Sequence, residues 1–230
     1  MMSLSDILNR FYNMLQFKRK ENEITVQKNN NCLLDDTPDR PIAFGYKTSW
    51  LSVKDTNINK IVDDLNIKVI GKANWESGLN AAYNDGAVFI APPINEWTFV
   101  VGLYFDNWKD FVSTIAKSIP DFYYFFTERV SETHAWISVK NKAIVRAFGY
   151  SGGSGEILFD EGNPTLEEIS LGLEFEKLRN NKWDDDTKVP DEDDVLAISS
   201  TWTINTLEID NMDVKESVGI VGIFDHRYNR

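Results

Sequence analysis

Residues 122–159 read FYYFFTERVSETHAWISVKNKAIVRAFGYSGGSGEILF, and this stretch decides the fold. It contains four runs rich in aromatic and β-branched side chains: Phe122–Val130, His134–Val139, Ala143–Tyr150 and Glu156–Phe159. Each has the composition of a strand, and turn-forming residues separate them. Asn141-Lys142 is short enough for a tight hairpin, and Gly152-Gly153-Ser154-Gly155 suits a looser one. Strands this close in sequence must pair antiparallel, because a parallel return needs a crossover of about a dozen residues or more.

Working outward, Ala43–Val53 reads as a strand, and Asp55–Leu65 as a helix with Ile58, Ile61, Val62 and Leu65 on one face. Lys68–Ile70 suits a short strand, and the segment holding Trp75, Gly78, Ala81 and Tyr83 is irregular or helical. Ala87–Ala91 and Trp97–Tyr104 read as strands, and Asn107 can cap a helix that Pro120 ends. Downstream, Pro164–Lys177 predicts one helix with Leu166, Ile169, Leu173 and Phe175 partly inward. The expected class is α+β: a mainly antiparallel or mixed sheet with helices packed on one face. Ser3 can cap an N-terminal amphipathic helix through Leu15, and a polar, Asn-rich stretch follows. The expected division is residues 1–40, helix and linker, and residues 41–230, a single α+β domain with an acidic C-terminal segment.

Composition removes several functions. The 230 residues carry a net charge of −12, the wrong sign for a phosphate-backbone binder. No apolar run approaches the roughly 20 residues that span a bilayer, and the N-terminus lacks the pattern of a signal peptide, so the expected compartment is the cytoplasm. Cys32 is the only cysteine and there are two histidines, too few for an internal disulfide or a Cys/His zinc site. No cofactor motif is complete. GYSGGSG at 149–155 leads into a strand, whereas a phosphate loop must open a helix.

Two groups of residues are candidates for function. Glu128, Glu132, His134 and Trp136 share one face if the chain is extended, so that a carboxylate could orient the imidazole as a general base beside Ser131. A turn between Val130 and His134 would break that register. The second group is acidic: Asp184, Asp185, Asp186, Asp191, Glu192, Asp193 and Asp194, with Trp183 and Trp202 as nearby aromatic anchors. Its spacing is not that of a calcium loop. A loop leading into a helix at Val195 explains it as well, carboxylates being favoured at a helix N-terminus. Residues 151–217 hold eighteen Asp or Glu against five Lys or Arg, a local balance of −13 that can steer a cationic partner.

Three stretches carry a resemblance: Trp50-Leu51-Ser52-Val53; Asn74-Trp75-Glu76-Ser77-Gly78 through Phe89-Ile90-Ala91-Pro92-Pro93 to Trp97–Gly102; and His134-Ala135-Trp136 through Val145-Arg146-Ala147 to Asp160–Thr165. Over roughly residues 41–225 the chain resembles an uncharacterised family of soluble bacterial proteins with no established activity. The resemblance transfers no catalytic residues. The functional expectation is a non-enzymatic binding protein, an immunity or inhibitor protein that neutralises a partner with a basic surface. A hydrolase built on the Glu132/His134 region, drawing in Glu128 and Arg146, is the alternative.

Overall fold

The computed structural model describes residues 33–224 except 106, 181, 183 and 185. Nine strands form one antiparallel sheet: β1 (Ser49–Val53), β2 (Ile67–Ala73), β3 (Val88–Ile90), β4 (Thr98–Val101), β5 (Phe122–Glu128), β6 (Thr133–Lys140), β7 (Ala143–Ser151), β8 (Glu156–Glu161) and β9 (Gly219–Phe224). Their order is β2-β9-β3-β4-β1-β5-β6-β7-β8, so the stretch that opened the analysis forms a continuous meander along one half. The α+β class and the antiparallel pairing are both observed.

Helices cover both faces of this sheet rather than the expected one. The register shows why. Trp50, Phe125, Trp136 and Phe148 lie side by side across β1, β5, β6 and β7, and the next row is Leu51, Tyr124, Ile137 and Ala147. Successive residues point to opposite faces, so two adjacent apolar rows require two covers. On the Trp50 face lie α2 (Trp75–Asn84), α5 (Phe175–Arg179) and α6 (Glu192–Trp202). On the Leu51 face lie α1 (Ile58–Asp64) and α3 (Trp108–Ser118). Asn57, Asn74 and Asn107 cap α1, α2 and α3 by accepting from backbone amides two or three residues on.

The helix expected over Pro164–Lys177 is two, α4 (Leu166–Ser170) and α5, broken at Gly172, whose φ of +79° is left-handed. Strand β9 returns from the chain's far end to sit between β2 and β3. A Cβ on Gly222 would lie 2.4 Å from Ile67 Cγ2 and 2.8 Å from the Lys68 carbonyl, so only glycine lets β9 approach β2 there. The end of the polar stretch before residue 41 is tied to the body. The Asp39 carboxylate accepts from the amides of Trp75 (2.7 Å) and Glu76 (3.0 Å), and Leu34 packs on the Trp50-face core. The N-terminal amphipathic helix and Cys32 lie outside the described residues.

Candidate functional site

The turn after β5 decides the fate of the first candidate group. Glu128 pairs with Thr133 across the hairpin, which puts Glu128 on the Leu51 face with Tyr124 and Phe126. His134 points to the other face, with Trp136. Glu132 sits in the turn itself, exposed and left-handed at φ 48°. Its carbonyl accepts from the Gly152 amide at 2.8 Å, which locks this hairpin tip against the glycine loop between β7 and β8. The expected common face of Glu128, Glu132 and His134 is therefore absent, because two residues flank a turn that reverses the chain.

His134 instead lies between Thr127 and Tyr150 in register and is 4% exposed. Thr127 Oγ1 is 3.2 Å from Glu192 Oε1 and 3.0 Å from His134 Nδ1. A hydroxyl has one proton, and the carboxylate can only accept it. Thr127 therefore donates to Glu192, and neutral His134 donates its Nδ1–H to Thr127. Burial holds the His134 pKa below the ordinary imidazole value, against the pull of the Glu192, Asp191 and Glu132 charges. Burial also pushes the Tyr150 hydroxyl up to about 12, so it stays protonated. The result is a closed chain of carboxylate, hydroxyl and imidazole, with Thr127 itself fully buried.

Glu192 belongs to the second candidate group, and the structure makes it an interior hub. Its Oε1 also accepts from the Lys47 amide at 3.0 Å, and Oε2 from Arg129 Nε. The first turn of α6 thereby docks on the ends of β1 and β5. Asp194 is 2% exposed, accepts from Lys188 Nζ at 2.5 Å, and has its pKa raised chiefly by burial. Asp191 is the N-cap of α6 and forms a reciprocal capping box with Asp194. Asp184, Asp186 and Asp193 are exposed, and Asp184 accepts from Thr187 Oγ1 at 2.5 Å. That hydrogen bond is the main cause of its lowered pKa. Trp202 is half-buried and packs on Tyr123 and Phe125, with ring centroids 5.4 and 5.9 Å away. Trp183 and Asp185 lie outside the described residues.

Arg146, expected near His134 in the catalytic alternative, is elsewhere. It pairs with Ser138 on β6, whereas Tyr150 pairs with His134. Its side chain is fully buried, with Nε 2.8 and 3.0 Å from the two oxygens of Glu168 and Nη1 2.5 Å from Asp160. The guanidinium lies over the rings of Phe148 (5.2 Å) and Phe175 (4.9 Å). Glu168 also accepts from the Trp136 indole at 2.7 Å and closes a capping box with Thr165. Sequence reasoning missed Thr127, Asp160 and Glu168. For Glu168 a signal existed, since Thr165-Leu166-Glu167-Glu168 has the T-x-x-E spacing of a capping box.

Beside this centre, Pro164, Ile169, Glu174, Phe175, Glu176, Lys177 and Arg179 line an open groove of about 460 Å³. Among the described residues no three His, Cys, Asp or Glu side chains are grouped to hold a metal ion, and no helix is long and apolar enough to cross a membrane. No protein-family model, curated protein or solved structure matches the chain.

Proposed function

We propose that this is a non-enzymatic cytoplasmic binding protein, an immunity or inhibitor protein whose partner presents a basic surface. The observation that carries this reading is how the acidic segment uses its cations. Lys177 is engaged by Glu174 and Asp184, Arg179 by Asp160, Lys188 by Asp194, and Arg146 is sealed inside. Meanwhile Glu176, Asp186, Asp193, Glu208, Asp210, Asp213 and Glu216 stay exposed. A surface that consumes its own positive charge and exposes carboxylates attracts cations over about a Debye length, 8–10 Å at ordinary salt. The closed setting of His134 favours binding over the hydrolase alternative, because a general base must reach a substrate proton.

The test begins with affinity purification from the source cells, which supplies the partner. Its association rate is then measured at low and physiological salt. Steering by exposed carboxylates makes the rate fall with salt, since rim charges act mainly on association. A salt-independent rate, together with a measurable turnover abolished by His134→Ala, would replace this reading with the enzymatic one.

A further inference from the structure

Helix α4 is inside out. Of its five residues, Glu168 is fully buried against Arg146 and Trp136, while Leu166 is 80% exposed and Ile169 57% exposed. Leu166 and Ile169 are three residues apart and so share one side of the helix. The expectation that both turn partly inward is thus reversed, whereas Leu173 and Phe175 are buried as expected. The reason is local. The capping box and the Arg146 ion pair fix which side of α4 faces the sheet, and that side carries the carboxylate. Single exposed aliphatic residues are ordinary. Here, however, Ile169 continues into the groove walled by Pro164 and Phe175. An apolar patch rimmed by charge is the usual form of an interaction surface.

The rim indicates the sign of what fits. Lys177 and Arg179 each stand within ion-pair distance of carboxylates, and Glu174, Glu176 and Glu167 surround the apolar side chains. We propose that this groove is the docking site for a basic amphipathic segment of the partner protein, resting on the cationic-partner reading above. An apolar side chain of that segment would fill the space over Phe175 between Ile169 and Pro164. Its flanking lysines or arginines would meet Glu174 and Glu176. Charge then accelerates the encounter, and the groove sets its lifetime.

The full-length ¹⁵N-labelled protein is titrated with two synthetic 18-residue peptides. One carries leucine and lysine at helical spacing, and the other has glutamate in place of each lysine. Saturable amide shifts confined to residues 164–179 are expected with the lysine peptide. Leu166→Ser/Ile169→Ser should weaken that binding roughly tenfold, as expected for losing part of two aliphatic contacts. Val130→Ser, an equally exposed aliphatic site at a distant hairpin tip, should leave it unchanged. If the lysine peptide binds elsewhere, or binds the double variant like wild type, the groove assignment fails and the cationic-partner reading survives. If the glutamate peptide binds as well as the lysine peptide, that reading fails too. Self-association in sedimentation that disappears in the double variant would make a second copy the occupant and overturn the proposal.

Discussion

Replacing Glu168 by alanine leaves the fully buried Arg146 guanidinium without its bidentate partner, and the consequence can be worked from the contacts. Two charge-assisted bonds at 2.8 and 3.0 Å vanish, as do the Trp136 indole bond at 2.7 Å and the Thr165 amide bond at 2.6 Å. Asp160 remains at 2.5 Å, but Arg179 also draws on that carboxylate. Removing one partner of a buried ion pair destabilises by about 3–5 kcal/mol, because the surviving charge stays out of water. That is a large share of the roughly 5–15 kcal/mol that holds a domain folded. Urea unfolding followed by tryptophan fluorescence measures it. At a slope of about 2–3 kcal/mol/M, the midpoint should fall by roughly 1.5 M. Arg146→Met alone should also destabilise, but in the Glu168→Ala background it should add much less, since it removes the stranded charge. A Glu168→Ala loss below about 1 kcal/mol, or strict additivity of the two changes, would refute the reasoning.

Three further outcomes follow from the same contacts. Because burial lowers the His134 pKa, the unfolded chain binds more protons between the folded value and about 6.5. Stability should therefore decline as pH drops below about 6.5, and a pH series of unfolding midpoints should show that decline reduced in His134→Gln. A chain beginning at residue 41 loses the Asp39 bonds to the first turn of α2, and should melt at lower temperature than one beginning at residue 33. The loss should be about 1–2 kcal/mol, the usual worth of an N-terminal cap, and calorimetry of the two chains reads it. Gly172→Ala meets no atom within 4 Å, so its cost should be the left-handed strain alone, about 1–2 kcal/mol by chemical denaturation.

The meander from β5 to β8 was legible because its turns are local: Asn141-Lys142 and the glycine loop announce themselves beside β-branched runs. The Asn107 cap and the Pro120 stop of α3 were legible for the same reason. Strand β9 was not, since its pairing with β2 and β3 depends on residues more than a hundred positions away. The second helical layer was implicit in the unbroken FYYFF run, where neighbouring apolar residues cannot share one face. Among the acidic residues, composition could not separate exposed Asp193 from buried Glu192 and Asp194. What separates them is three-dimensional: Lys47, Thr127 and Arg129 converge on Glu192, and Lys188 reaches Asp194. Likewise, helical spacing located Leu166 and Ile169 on one side of α4, but only the Arg146–Glu168 pair decided that this side faces solvent.

The claim that exposed carboxylates recruit a cationic partner is tested most directly by stopped-flow association with that partner across a salt series. Wild type is compared with Asp184→Lys/Asp186→Lys/Asp193→Lys, all three exposed, and with Glu192→Gln, which is interior. The triple reversal should slow association roughly tenfold at low salt and flatten its salt dependence, while its unfolding midpoint stays near wild type. Glu192→Gln should lower the unfolding midpoint and leave the association rate close to wild type, because its carboxylate serves Arg129, Thr127 and Lys47 rather than solvent. A triple reversal that associates as fast as wild type at every salt concentration would contradict electrostatic recruitment.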